Sequence, residues 1–169
     1  MRLRDVQSGD VEAYVRMRCD PAMMADLGGP LPAEGMAEKV ARDVGSAAGG
    51  SQWIKMILPD GNDPAVVAGT VTLWSHEEGG RLITEIGWMV LPAFQGRGLG
   101  KRAVRTLLEL ARGEDRWGEV HAFPATTNGP SNGICRSLGF RLLGEEDVTF
   151  ADRVLRTHHW VIDPRTELT

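Results

Sequence analysis

Cysteine, tyrosine and long apolar runs are scarce in this chain. Cys19 and Cys135 are the only cysteines among 169 residues. Two cannot build the disulfide framework of a small secreted domain, so we expect a reducing, cytoplasmic compartment. No apolar run is long enough to cross a bilayer, and no signal-peptide pattern is present, so no membrane partner is expected. The net charge of −4 argues against nucleic acid as a partner and favours a cationic one, such as an amine.

The length predicts one domain, residues 1–169, which buries about two-thirds of its unfolded surface. Hydrophobic periodicity and turn residues predict a mixed α/β fold, because one amphipathic helix joins two strands in a βαβ crossover. The predicted strands are Leu3–Val6, Ser51–Leu58, Ala65–Ser75, Leu82–Leu91, Glu119–Phe123, Phe140–Glu146 and Val154–Ile162, and the predicted helices are Asp10–Cys19, Glu34–Ala48, Leu99–Ala111 and Pro130–Leu138.

The clearest helix follows residue 98. Its apolar residues recur at helical spacing and form one stripe, which predicts a half-buried helix. They are Leu99, Ala103, Val104, Leu107, Leu108 and Ala111.

A glycine-rich turn leads into this helix. Gly96, Gly98 and Gly100 alternate with other residues, so the backbone can adopt conformations closed to other side chains and can approach a ligand closely. A helix start also leaves about four N–H groups unpaired and carries roughly half a positive charge. The segment therefore predicts a pyrophosphate site, to which Arg97 and Lys101 add charge.

The strand before the turn is apolar on both faces, which is typical of an interior strand. Glu85 is the exception, since a carboxylate on such a strand needs a partner or a function. Gly87 lies two residues later, and a lone glycine in a strand often marks a bulge. We therefore expect a bulge that leaves nearby N–H groups available to a ligand.

These segments resemble the acetyl-coenzyme A binding core of the GCN5-related N-acetyltransferases (GNAT family). The phosphate loop of that family matches Gln95, Gly98 and Gly100, and a second element matches Asn128 and Ser131, followed by Gly139-Phe140. The resemblance covers residues 65–162 well and the first 60 loosely. It implies a single GNAT-like domain with a mixed, mostly antiparallel sheet and helices on both faces.

The resemblance also implies an activity, the transfer of an acetyl group from acetyl-coenzyme A to a primary amine of a small molecule or peptide. The amine would attack the thioester directly in a ternary complex, with Glu85 as general base and the Met89 backbone N–H as oxyanion donor. The implied cofactor-binding residues are Met89, Val90, Gln95, Gly96, Arg97, Gly98, Gly100, Lys101, Asn128 and Ser131. Dimers are common among relatives, so a homodimer is an open option.

One position departs from the family pattern. Many relatives carry a tyrosine seven residues after the motif asparagine to protonate the leaving thiolate, whereas this chain has Cys135. The thiol is one candidate acid. The alternative is that Cys135 only fills space and that Ser131 or water supplies the proton.

Other interpretations stay open at single residues. Glu85 is either catalytic or paired across the sheet, and Asn128 either contacts the cofactor or caps the following helix. His121 faces either the core or the cleft, and His158 and His159 must face opposite sides of their strand. His76 is predicted to lie in a loop with no metal-ligand spacing, and no metal is predicted.

Two competing functions apply to the glycine turn. A dinucleotide fingerprint fits loosely, with Glu119 near the position of a ribose-binding acid, but the βα units that such a fold needs do not follow. A catalytically silent domain that binds acetyl-coenzyme A as a sensor or partner module is the stronger alternative, because the tyrosine is missing.

Overall fold

A seven-stranded sheet forms the centre of the domain. The computed structural model describes residues 1–59, 63, 65–78, 80–150 and 153–165. Its elements are β1 (Arg2–Asp5), α1 (Val11–Arg18), α2 (Met36–Ala48), β2 (Gln52–Leu58), β3 (Gly69–Glu78), β4 (Arg81–Val90), α3 (Leu99–Arg112), β5 (Val120–Ala122), α4 (Gly129–Ser137), β6 (Arg141–Phe150) and β7 (Arg153–Ile162).

The strands are ordered β1-β2-β3-β4-β5-β7-β6. Neighbouring strands pair antiparallel, except β4 and β5, which are parallel and connected through α3. The predicted mixed α/β fold, mostly antiparallel with a central βαβ crossover, is confirmed.

Helices cover both faces of this sheet. The buried stripe of α3 packs in one core cluster with Ile57, Ile86 and Leu138, and the predicted members of the stripe are all buried. The opposite face packs against α1 and α2 in a second cluster that includes Ile54 and Met89. Because Ile54 and Ile57 are an odd number of positions apart on β2, the two clusters lie on opposite faces.

The sheet opens between β4 and β5. These strands pair only at Thr84 with Val120 and at Glu85 with His121. On its other side β4 pairs with β3 from Arg81 to Val90. The part of β4 after Glu85 therefore has a ladder partner on one side only, and this opening lies immediately before the glycine-rich turn.

The predicted bulge at Gly87 is wrong. The β3–β4 register runs from one end of the ladder to the other without a shift. A Cβ at Gly87 would lie 3.4 Å from the indole ring of Trp74, so this glycine makes room for a large side chain on the neighbouring strand. The isolated glycine thus reflects side-chain packing, and the opening beside β4 comes from the short β5.

Several predicted boundaries also move. The strand predicted from Ala65 begins at Gly69 and continues to Glu78, so the loop predicted at His76 is wrong. β6 extends to Phe150 rather than Glu146, since β6 and β7 pair as a long hairpin from Arg141 to Phe150, with one register shift between Leu142 and Gly144. The residues Pro59-Asp60-Gly61-Asn62 predict a turn between the second and third strands, and all of them except Pro59 lie outside the described residues. Within the described ranges, no helix is both long and apolar enough for a membrane span.

Candidate functional site

The turn between β4 and α3 has a backbone that requires glycine. Gly96 and Gly98 have φ of 72° and 69°, in the left-handed region that disfavours other residues. A Cβ built at either position meets no atom within 4 Å, so both glycines face open space. The side chain of Gln95 folds back and donates from Nε2 to the Val90 carbonyl, 2.8 Å away. Gln95 therefore holds the turn against the end of β4.

The turn directs the start of α3 into this open space. The first helical hydrogen bond runs from the Arg102 N–H to the Gly98 carbonyl. The N–H groups of residues 99–101 have no carbonyl partner within the helix, because they belong to its first turn. No side chain caps them, since the N-cap residue is Gly98. Arg97 lies beside Phe94, with its guanidinium 5.7 Å from the ring centre. Unpaired amides, a positive helix end and the cations Arg97 and Lys101 fit the diphosphate of coenzyme A.

The start of α3 packs closely against β4 and α4. A Cβ at Gly100 would lie 3.1 Å from the Ile134 Cδ1 and 3.4 Å from the Val90 Cγ2. Ser131 lies one helical turn before Ile134 on α4, and its N–H donates to the Asn128 Oδ1, 3.0 Å away. Asn128 therefore caps α4, as the structural alternative predicted. Any contact of Asn128 or Ser131 with a cofactor stays a prediction.

The peptide groups of β4 alternate between β3 and the opening. The Leu91 N–H donates to the Ala68 carbonyl, and a Cβ at Gly69 would overlap the Met89 carbonyl oxygen. The Leu91 N–H and the Met89 carbonyl therefore both point toward β3. Because peptide groups alternate along a strand, the amides of Trp88 and Val90 point toward the opening beside β5.

Glu85 lies on the other face of the sheet, the face that carries α1 and α2. Its Oε2 is 3.0 Å from the His76 Nε2 on β3, and the two side chains are 23% and 37% exposed. The sequence left open whether Glu85 pairs across the sheet, with an arginine as the expected partner, and the structure provides a histidine instead. Glu85 is thus held by a neighbouring strand yet partly open to solvent, at the point where β4 and β5 separate.

Two further histidines continue along this face. His121 is the register partner of Glu85 on β5, and its Nδ1 lies 2.8 Å from the His159 Nε2 on β7. The His159 Nδ1 lies 2.7 Å from the Glu146 Oε1 on β6. We call His76, Glu85, His121, His159 and Glu146 the polar row. His121 is partly exposed within it rather than buried in the core.

The sequence does not predict the polar row as a unit. Its members come from five strands, and only their cross-strand register brings them together. His158, next to His159 in sequence, has its Nδ1 2.8 Å from the Asn132 Oδ1 instead. The prediction that adjacent histidines face opposite sides is therefore confirmed.

Cys135 is fully buried in the core beneath α3. This burial raises the pKa of its thiol to about 12. Transferring a proton from that thiol to a thiolate of ordinary pKa, ~8.5, is uphill by about 5 kcal/mol. The structure therefore favours the packing interpretation of Cys135 over its role as the acid.

Asn132 is a structural residue that the sequence analysis missed. Its amide nitrogen donates to the carbonyls of Ala125 and Asn128, at 2.9 and 2.8 Å. Its Oδ1 accepts from the Trp160 Nε1, 2.9 Å away, and from His158. One buried side chain thus joins the start of α4 to β7 and to the segment after β5.

The segment between α1 and α2 borders the polar-row face. Met24 is fully buried in the second core cluster, with Met23 and Leu27 packed against that cluster. The Thr127 hydroxyl donates to Asp26, 2.9 Å away, and a Cβ at Gly29 would lie 3.7 Å from the Arg153 guanidinium. These contacts tie the segment to the turn before α4 and to β7.

Among the described residues, no group of three or more His, Cys, Asp or Glu side chains is arranged to hold a metal ion. The domain has a glycine-rich turn and an uncapped helix start on one side of an opened sheet, and a carboxylate with histidines on the other. Residues 1–141 match the model of the acetyltransferase (GNAT) domain, which places the protein in the class of acyl-coenzyme A-dependent transferases. The chain belongs to the GNAT acetyltransferase family.

Individual relatives agree with this membership. N-alpha-acetyltransferase RimI of Mycobacterium tuberculosis is 43% identical over 53 residues, which span 31% of each chain, so the match covers about a third of that relative. A GNAT-family acetyltransferase from Bacillus anthracis superposes with a TM-score of 0.77 at 20% identity, covering 97% of this chain and 95% of the other. The yncA protein of Salmonella typhimurium, solved with its cofactor acetyl-CoA, gives 0.73 at 20% identity, covering 100% and 96%. At such identities the structures show a shared fold.

Proposed function

We propose that this protein transfers the acetyl group of acetyl-coenzyme A to a primary amine of a small molecule or peptide, by direct attack in a ternary complex. The observation that carries the proposal is the opening between β4 and β5. It has the glycine-rich turn at its end and Glu85 where it begins. A cofactor seated on the turn would thus approach an amine held near the carboxylate.

The glycine turn and the start of α3 would hold the diphosphate. Gly96 and Gly98 keep the space above the turn open, and Arg97 and Lys101 add positive charge. Gln95 acts by positioning the turn through its bond to Val90. Acetyl-coenzyme A, when bound, supplies the acetyl thioester.

The amides of β4 would polarise the thioester carbonyl. The Met89 N–H was the expected donor, but the Leu91 N–H and the Met89 carbonyl point toward β3. Because the N–H and the carbonyl of one strand residue point to the same side, the Met89 N–H also faces β3. We therefore assign this role to the amides of Trp88 and Val90, which alternate toward the opening. One such donor is typically worth about 3 kcal/mol of transition-state stabilisation.

Glu85 would take the proton that the amine loses as its nitrogen attacks the carbonyl carbon. His76 holds the carboxylate in place from β3. The C–S bond breaks, and the departing thiolate takes a proton from water, or from Ser131 as that hydroxyl regains one from water, since Cys135 is fully buried in the core.

The test is acetyl transfer by the purified full-length chain to a panel of acceptors. N-terminal peptides come first because of the similarity to an N-alpha-acetyltransferase, followed by polyamines, aminoglycosides and amino acids. Coenzyme A release and acetylated product should both appear with at least one amine. Binding of acetyl-coenzyme A without turnover of any amine would favour the silent module.

Glu85→Gln tests the base. We expect kcat at neutral pH to fall by about 10²-fold or more, since a positioned general base is typically worth 10²–10⁴. Glu77→Gln is the matched control, because Glu77 is an exposed carboxylate on β3 outside the polar row. Equal kinetics for Glu85→Gln and wild type would remove Glu85 from the reaction.

A further inference from the structure

The polar row has more members than a single general base requires. Beyond Glu85 it continues through His121 and His159 to Glu146 on the edge strand β6. All lie on the face that carries α1 and α2, because each is a register partner of the next or lies two residues from that partner. A row of titratable groups thus leads from the candidate base to the edge of the sheet.

The proton positions along this row follow from its end. The His159 Nδ1 lies 2.7 Å from the Glu146 Oε1, although the pair lacks the alignment of a hydrogen bond. Because a lone pair on Nδ1 would be repelled by the carboxylate at this distance, the His159 Nδ1 carries the proton in the neutral ring. The His159 Nε2 is then the acceptor, and the His121 Nδ1, 2.8 Å away, must be the donor. This tautomer leaves the basic lone pair of His121 on its Nε2, across the ring from His159.

Glu85 and His121 are neighbours at the start of the row. They are register partners on β4 and β5, and adjacent strands lie about 4.8 Å apart. A proton can pass between two such side chains directly or through one water.

We propose that His121, His159 and Glu146 form a proton-release path from Glu85 to solvent, a role that rests on the proposed acetyl transfer. The amine N–H bond breaks as the Glu85 O–H bond forms. The Glu85 proton then passes to the His121 Nε2, the proton on the His121 Nδ1 to the His159 Nε2, and the proton on the His159 Nδ1 to Glu146, which releases it to water. Each step forms one bond to hydrogen and breaks one. His159 and Glu146 are 22% and 43% exposed, so exchange with solvent restores the starting tautomers.

The kinetic test is His159→Ala in the full-length chain, with the best acceptor from the panel. We expect kcat at neutral pH to fall roughly tenfold, less than for loss of the base itself, while the KM for acetyl-coenzyme A stays within about twofold. Added imidazole should restore the rate, because it can carry the proton in place of the missing ring. His159→Gln should show the same loss, since it can form hydrogen bonds but cannot pass a proton on at neutral pH.

His158→Gln is the matched control. His158 is the adjacent histidine and forms a hydrogen bond with Asn132 on the other face of the sheet. Added imidazole should therefore not raise the kcat of His158→Gln. If His159→Ala and His159→Gln keep the wild-type kcat, or if their loss is not reversed by imidazole, the path is overturned.

A nitrogen-15 NMR measurement of the histidine tautomers tests the path without turnover. Both His121 and His159 should be protonated at Nδ1 in the neutral state, and Glu146→Gln should change the tautomer of His159. An Nε2–H form of either ring in wild type would overturn the direction of the path. A wild type that acetylates no amine would overturn the proposed function and the path with it, whereas an active wild type with unaffected His159 variants would overturn the path alone.

Discussion

Gly98→Ala is the most direct test of the glycine turn, because the structure separates conformational strain from steric clash. Gly98 has φ of 69°, and a Cβ there would meet no atom within 4 Å. Alanine therefore fits in space but is strained in the left-handed region by about 1–2 kcal/mol. The same turn must present the first amides of α3 to the diphosphate.

This strain has to appear in stability, in binding or in both. If the turn keeps its shape without the cofactor, the unfolding free energy of the unbound protein falls by about 1–2 kcal/mol. If the turn relaxes instead, Kd for acetyl-coenzyme A rises by about 5- to 30-fold. By linkage, the two losses together should come to about 1–2 kcal/mol.

The assays are urea unfolding for stability and isothermal titration calorimetry for Kd. Gly98→Asn is the matched control, because asparagine tolerates the left-handed region far better than alanine. We expect its summed loss to be clearly smaller. A Gly98→Ala protein with wild-type stability and wild-type Kd would refute the reasoning, as would equal losses for the two variants.

Three further predictions concern the support of the site. Asn132→Ala should lower the unfolding free energy by about 3 kcal/mol in urea, because it removes four hydrogen bonds, two of them buried and two partly buried; a loss under about 1 kcal/mol would contradict that role. Gly69→Ala should be severely destabilising, since its Cβ would overlap the backbone of β4, whereas Gly133→Ala, in open space on α4, should stabilise by up to about 1 kcal/mol; similar effects would show that the overlap is not real. Burial raises the pKa of Cys135 to about 12 in the fold, against ~8.5 unfolded, so this thiol contributes a fall in wild-type stability of about 1.4 kcal/mol per pH unit between those values. Cys135→Ala should make the slope of unfolding free energy against pH shallower by that amount in urea titrations and keep kcat within about twofold. An unchanged slope or a tenfold slower enzyme would contradict the packing role.

The sequence predicted the parts of the site that depend on local backbone geometry. The apolar stripe of α3 and the two faces of β4 follow from periodicity, which a helix or strand imposes on neighbouring residues. The turn at Gly96 and Gly98 followed from the freedom of glycine to take positive φ. The family resemblance then supplied the ligand and the reaction, which these patterns alone do not specify.

The wrong predictions concern positions whose structure depends on packing against distant strands. Gly87 was predicted to mark a bulge, but it makes room for Trp74 from the next strand. His76 was predicted in a loop, because the polar residues at the end of β3 give no sign that β4 continues the ladder there. In both cases the missing information was the identity of a neighbour distant in sequence.

The sequence by itself thus determined a GNAT-like α/β domain with a glycine turn at the start of a half-buried helix, since these features depend on residues adjacent in the chain. Only the tertiary structure decided that Cys135 is sealed in the core, that Asn132 joins α4 to β7, and that His121 and His159 connect Glu85 to Glu146. The physical reason is register: which side chains meet across a sheet depends on how distant strands pair, and a shift of one residue would turn each of them to the opposite face.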